Sequence, residues 1–378
     1  MKRTALYMAF AAMICLSNAC TTMHDDVDDA TSCDDPRIII SYRIAPNTGN
    51  LSRAAGSTEP GDNDGNLNEN LITRLNLLVT PNDGSGLKNI AITDADAIAQ
   101  VDDNADFASM DITDLLTYEQ RELLNSGNYS AKMIANAPEG QTIASEDDLK
   151  SAINASITPN VKQQRFVMDD MANSFSKANY DNRTVITFED GLVRAAAKIR
   201  LHLQDTDKNR LEADSVVLCN YAPNGCLTAI EGGYMPSSAS ELRTTKIAKA
   251  DVLTNTKGDI ILYSYPNSWV DESKFHKNGD QSTIDQFNSE EPIIADLQTY
   301  LLVKAPFNGT LYWYKIPVNF RLTQNNDKAY FTEVEIEEVK DLYRIKRNHL
   351  YDITATIDHE GGNGMFEKKI AIKVMPLR

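Results

Sequence analysis

The sequence predicts a mainly β protein built of sandwiches. The main observation is a series of short segments beyond about residue 185 in which apolar and polar residues alternate. They are "RTVITF", "RAAAKIRLHLQ", "DSVVLCNY", "GDIILYSYP", "TYLLVKAPF", "LYWYKIPVNF", "LYDITATI" and "KIAIKVM", with turn-rich joins between them. A period of two turns one apolar face of a strand inward, and regularly spaced short strands of this kind form sandwiches. A second observation is that segments with helical periodicity are few and short. The third is size: 378 residues, 42% of them apolar, suffice for two domains with real cores.

The N-terminus reads as a targeting segment. Lys2 and Arg3 precede "ALYMAFAAMICL", an apolar run too short to span a bilayer comfortably. "LSNAC" follows, and Ala19 before Cys20 looks like a bacterial lipoprotein cleavage site. Acylation of the Cys20 thiol would hold the precursor on a membrane by burying alkyl chain, at ~0.8 kcal/mol per CH₂. An ordinary secretory signal cut nearby is the alternative. "HDDVDD" (24–29) resembles the surface-export signals of Bacteroidota lipoproteins, and also reads as a solvated tether.

In "RIIISYRIA" the residues Ile38, Ile40, Tyr42 and Ile44 share one face, which predicts a leader strand. A turn-rich loop runs to about residue 70, and "LITRLNLLVT" then reads as a strand containing Arg74. "DITDLLTYEQRELLNS" is expected to be one short helix striped by Leu115, Leu116, Leu123 and Leu124. "SEDDLKSAINAS" opens a helix with Ser145 as N-cap and Asp148 three residues on. The domain boundary is expected between Asn182 and Arg194.

Composition excludes several classes. The net charge is −17, and residues 21–70 alone hold ten acids against three bases. That argues against a nucleic-acid surface or an anionic-membrane surface, which need clustered Lys and Arg. No nucleotide-loop, hydrolase or zinc-protease motif occurs, so neither an enzyme nor a cofactor is expected. His202 in "KIRLHLQ" falls on the face of Lys198, Arg200 and Gln204 and reads as a solvated strand residue. Asp62, Asp64, Asn66 and Asn68 have ligand-like spacing, but Thr73 stands where a calcium loop needs Glu, so no metal is expected. Cys219 and Cys226 flank "NYAPNG"; they would either bond across a hairpin or sit as two small buried residues. Tyr312 and Tyr314, with Trp313 on the other strand face, and Tyr263, Tyr265 and Trp269 could form a sugar platform, although strand aromatics are most often core.

Several segments carry a family resemblance: "VRAAAKIRLHL" (193–203), "YSYPNSW" (263–269), "LYWYKIPVNF" (311–320) and above all "IKRNHLYDITATI" (345–357). With "GDNDGNLNENLITRLNLLV" (61–79) and "RFVMDD" (165–170), this ordered set resembles the Bacteroidota fimbrillins, the type V pilin family of major fimbrial subunits. The resemblance implies two transthyretin-like β-sandwiches in tandem, with a few short helices in the first. It implies export as an outer-membrane lipoprotein, then cutting by an Arg-specific surface protease in the loop after the first strand. A neighbouring copy or another fimbrial subunit would fill the groove so opened with its C-terminal strand. The expected divisions are a signal peptide (1–19), a leader lost on maturation (20–53), an N-terminal sandwich (54–188), a C-terminal sandwich (189–358) and a donor tail (359–378).

Elementary physics supports the same arrangement. Ile370, Ile372 and Val374 alternate near the C-terminus, behind the Gly-rich "DHEGGNGMF". An unpaired strand is an aggregation template, and pairing it into another subunit's sheet satisfies its backbone. Each of the three side chains would contribute ~1.5–3 kcal/mol on full burial. The leader strand alternates in the same way, so both could occupy one groove in turn. A cut needs flexible chain, and Arg53 in "GNLSRAAGS" meets that need; Ala54 would then be the new N-terminus, leaving 378 − 53 = 325 residues. An accessory pilin that stays lipidated at Cys20 and a surface glycan-binding lipoprotein are the alternatives.

Overall fold

Alternation decides the first strand, β1 (Arg37–Ile44), whose buried side chains Ile38, Ile40 and Tyr42 lie on one face. The computed structural model describes residues 36–45, 48–49, 67, 69–101, 107–162, 165–170, 175–180, 182–228, 233–271, 283–285, 294–319, 330–332, 343–364 and 373–375. After β1 come β2 (Thr48–Gly49), β3 (Leu75–Pro81), β4 (Lys88–Ile92) and β5 (Ala108–Asp111). Next are helix α1 (Tyr118–Ser126), β6 (Tyr129–Ala135), helix α2 (Glu146–Lys150), β7 (Met168–Asp170), β8 (Phe175–Tyr180) and β9 (Arg183–Arg194). The remainder is β10 (Ala197–Asp205), β11 (Ser215–Tyr221), β12 (Arg243–Ala248), β13 (Ile260–Ser264), β14 (Asn267–Ser268), β15 (Thr283–Asp285), β16 (Tyr300–Phe307), β17 (Thr310–Pro317), β18 (Tyr330–Thr332), β19 (Arg344–Ile345), β20 (His349–Ile357) and β21 (Lys373–Met375).

The fold is mainly β, as the strand spacing predicts. Among the described residues, the first sheet runs β4-β3-β6-β7-β9-β1-β5, with β8 also on β9. The second runs β13-β10-β20-β2, with β21 also on β20, and the third runs β12-β11-β16-β17. The chain changes sheet across Ala195–Ala196, so the twelve-residue β9 runs through the region where the sequence suggests a boundary. Ile199, Leu201 and Leu203 of β10 share one apolar core with Val216 and Leu218 of β11 and with Leu301 and Val303 of β16. Val217, Cys219 and Leu302 form a separate cluster on the opposite face of the third sheet. Alternate residues of β11 and β16 thus face opposite ways, and the inner set forms the sandwich core.

Three local expectations need correction. The Leu-striped segment is not one helix. It is a 3₁₀ turn at Thr113–Leu115 followed by α1, because Thr117 caps α1 and Gln120 closes the capping box. Leu124 is fully buried and Leu116 nearly so, but Leu115 is exposed. Arg74 precedes β3: its carbonyl accepts the Asn136 N–H, but Asn136, at φ 56°, lies just past the end of β6, so the regular ladder begins at Leu75. His202 is not on a freely solvated face: it is half-buried, and Lys198 and Arg200 beside it are buried, so the start of β10 is covered on both sides. The capped helix expected at Ser145 is present as α2, with Asp148 completing its capping box.

Leu201 sits mid-strand in β10, between β13 and β20, and is wholly buried. Replacing it with Ala should lower stability by about 2–5 kcal/mol, read as a drop in the urea unfolding midpoint. A loss below roughly 1 kcal/mol would mean that this position is not core.

Candidate functional site: the leader strand and the β20 edge

β1 lies inside the first sheet. It pairs in parallel with β9, from Arg37 opposite Arg183 to Ile44 opposite Leu192, and antiparallel with β5, from Ile39 opposite Asp111 to Tyr42 opposite Ala108. Both of its backbone edges are therefore satisfied by neighbours. Further bonds fix its register. The Thr113 hydroxyl accepts the Ile38 N–H at 2.8 Å, the Ser109 hydroxyl donates to the Ser41 hydroxyl at 2.9 Å, and the Tyr42 hydroxyl donates to the Ala99 carbonyl. Burial pushes the Tyr42 phenol well above its ordinary pKa.

Of the four predicted face residues, Ile38, Ile40 and Tyr42 are fully buried, while Ile44 is only half-buried. The register shifts between Tyr42 and Ile44, where β1 leaves the sheet. Gly191 makes that exit possible. It has φ +86°, and a Cβ there would stand 3.0 Å from both the Ala45 nitrogen and the Arg43 side chain. Arg43 itself points outward over the Phe107 ring, within the strand as the sequence suggests.

The second part of the site is the outer edge of β20. Its inner edge is taken by β10 in a parallel ladder from Lys198–Leu350 to Asp205–Ile357. On the outer edge, Thr48 and Gly49 of the leader pair with His349 and Leu350. Further along the same edge, Lys373, Val374 and Met375 pair antiparallel with Thr356, Ala355 and Thr354 of the same chain. Leader and tail thus share one strand edge, separated by Tyr351–Ile353 of β20, while β1 itself occupies a different sheet.

Buried charge joins the first sheet's chain to the second. Lys198 meets Glu69 at 2.8 Å, both almost wholly buried, and the Tyr263 hydroxyl also donates to Glu69. Arg347 pairs with buried Asp169, and Arg194 donates to the Asn348 side chain at 3.3 Å. On β10 and β20, Arg200 forks onto Asp352, and His202 bridges Asp259 at 2.7 Å and Asp352 at 2.6 Å. The hydrogen bond to Asp352, reinforced by the charges of Asp352 and Asp259, outweighs burial and raises the His202 pKa. Burial disfavours the Asp352 charge, but Arg200 and His202 outweigh it and bring that carboxyl down to about 2. Sequence reasoning missed this cluster because its partners lie about 150 residues apart and meet only through the β10–β20 register.

Cys20, Arg53, Ala54, Ile370 and Ile372, like the Asp62–Asn68 ligand series, lie outside the described residues. Val374 is described through its backbone, opposite Ala355. Cys219 and Cys226 are both free thiols, so the bonded alternative does not hold. Cys219 packs with Val217 and Leu302 on the outer face of the third sheet, whereas the Cys226 thiol donates to the Thr228 carbonyl at 3.1 Å. The alternative of a sugar platform does not hold either. Trp269 is fully buried, Tyr263, Tyr265 and Tyr314 nearly so, and the Lys246 ammonium sits 5.9 Å from the centre of the Trp313 ring. No group of three metal-ligating side chains occurs among the described residues, and no helix among them is long and apolar enough to cross a membrane.

Neither a family model nor a curated protein matches the chain. Among solved structures it is similar to a protein of Parabacteroides distasonis described in terms of cell adhesion, at 13% identity and TM-score 0.47, covering 90% of this chain and 95% of that one. It is similar to the tip fimbrial protein Mfa3 of Porphyromonas gingivalis with C-terminal truncation, at 13% identity and TM-score 0.47, covering 90% and 98%. A fimbrial assembly protein of Parabacteroides distasonis is similar at 12% identity and TM-score 0.34, covering 85% and 90%.

The His202 bridge should make stability depend on pH. Its folded pKa is raised, so its contribution is complete below the unfolded value of about 6.5 and is lost as pH rises through the raised value. The stability gap between the native protein and His202→Gln should therefore be larger at pH 5 than at pH 9, by urea unfolding. A gap that grows with pH would contradict the bridge. Asp352 acts at the other end: its contribution is present above about 4 and disappears as pH falls through about 2.

Proposed function

We propose that the chain is a structural fimbrial subunit for surface attachment rather than an enzyme, polymerised by exchange of strands between copies. In this reading it is exported as an outer-membrane lipoprotein through Cys20. An Arg-specific surface protease cuts it after Arg53, and it joins other copies of itself and other fimbrial subunits in a surface fimbrium. It touches a membrane only through the lipidated precursor.

The observation that carries the reading is the placement of β1. A strand paired on both edges and buried on one face stands just upstream of the expected cut. Loss of residues up to Arg53 would remove β1 and β2 together. It would leave the facing edges of β9 and β5 unpaired, uncover the apolar slot of Ile38, Ile40 and Tyr42, and free β20 at His349 and Leu350. Unpaired edges beside an apolar slot are what an incoming strand fills. The tail with Ile370, Ile372 and Val374 has the matching alternation. It is held to its own β20 by three residue pairs, a short ladder to release. A contact of this head-to-tail kind does not close, so it builds a filament.

An accessory pilin that stays lipid-anchored is the second reading, and intact mass of the surface form separates the two. A mature N-terminus at Ala54 is expected, whereas an acylated Cys20 would favour the anchor. Deleting residues 367–378 should leave a folded monomer that forms no fibres by electron microscopy. Fibres from the truncated chain would remove the donor role of the tail.

A further inference from the structure

We propose that a surface cleft of about 540 Å³ binds an acidic sugar through Arg74, Arg165 and Tyr265. The cleft lies between the segment leading into β3, the turn that follows β6 and the loop spanning residues 155–161. Its volume falls within the range of small-ligand sites. One wall is fixed in advance. Asn136 has φ 56°, and its side chain accepts the Thr73 N–H at 2.9 Å and donates to the carbonyls of Leu71 at 2.8 Å and Phe166 at 3.0 Å.

The groups on this frame have bonding capacity left over. Tyr265 lines the cleft at 4% exposure, and its hydroxyl makes no hydrogen bond among the described residues. The hydroxyl is not one of the enclosed, unpartnered polar atoms of the described residues, so it is open to donate to an acceptor from outside the chain. Neither Arg74 nor Arg165 forms an ion pair or side-chain hydrogen bond among the described residues. Glu139 on the rim pairs with neither. This is notable in a chain with 54 acids and 37 bases, where guanidinium groups have many carboxylates to choose from.

The chemistry of these groups selects the ligand class. Two guanidinium groups and a phenol supply donors, and guanidinium matches a carboxylate bidentately. The exposed hydroxyls of Thr93 and Thr158 add polar contacts suited to a polyol. The apolar lining is mostly small side chains, which does not suit a greasy ligand. A hexuronic acid combines one carboxylate with several hydroxyls. None of these residues belongs to β1, β20 or the tail, so sugar binding and filament formation fail or succeed independently.

The test is calorimetric titration of the full chain with D-glucuronate, with glucose and acetate as controls. Saturable binding of glucuronate is expected, with glucose and acetate each at least about tenfold weaker. The double variant R74A/R165A should weaken glucuronate binding at least about tenfold. Tyr265→Phe should weaken it several-fold while the thermal unfolding profile shows an intact fold. No saturable binding, acetate or glucose binding as tightly as glucuronate, or full affinity in both variants would each overturn the proposal.

Discussion

Every backbone group of a strand that is buried in a sheet must find a partner, and β1 shows how far that requirement reaches. Its parallel ladder with β9 and its antiparallel ladder with β5 complete the edge region of the first sheet. Its three wholly buried side chains fill a slot in the core. A strand in that position cannot leave without exposing polar backbone and apolar surface together. The same requirement governs β20, whose inner edge is fully paired and whose outer edge carries short pieces of leader and tail.

The rest of the molecule keeps that arrangement rigid. Lys198–Glu69 and Arg347–Asp169 are ion pairs in which both partners are buried or nearly so; the first ties chain just after the leader to β10, and the second ties β7 to the turn before β20. Buried pairs of this sort give modest net stability, because desolvation opposes the Coulomb attraction, but breaking one leaves a costly lone charge. They therefore act on register. Arg200 and Asp352, directly opposite in the β10–β20 ladder, hold the strand whose outer edge is in question. Glu69 lies beyond the expected cut, so its tie to Lys198 and Tyr263 belongs to the part of the chain that would remain.

Aromatic residues and thiols take structural places. Trp269, Tyr263 and Tyr314 are core, Cys219 behaves as a small apolar residue on the outer face of the third sheet, and Cys226 is half-buried. Polar groups with capacity to spare gather instead at Tyr265 and the two arginines of the cleft, away from the strand edges.

The sequence by itself determined β1, β3 and most of the longer strands from β9 onward, most of their inward faces and the cap of α2, because these depend on a period of two or on residues three apart; β4, β5, β6, β8 and β12 were not legible in it. Ser145 with Asp148 was legible as a cap for this reason, whereas Thr117 with Gln120 was hidden inside an apolar stripe. Tertiary structure alone decided which strands pair: β1 with β9, β10 with β20, and leader beside tail on one edge. It also decided that Lys198 and Arg200 on the polar face of β10 are buried, with half-buried His202 between two carboxylates. Alternation tells which residues point the same way, but what covers that face comes from chain 60 to 150 residues distant, and no local pattern records it.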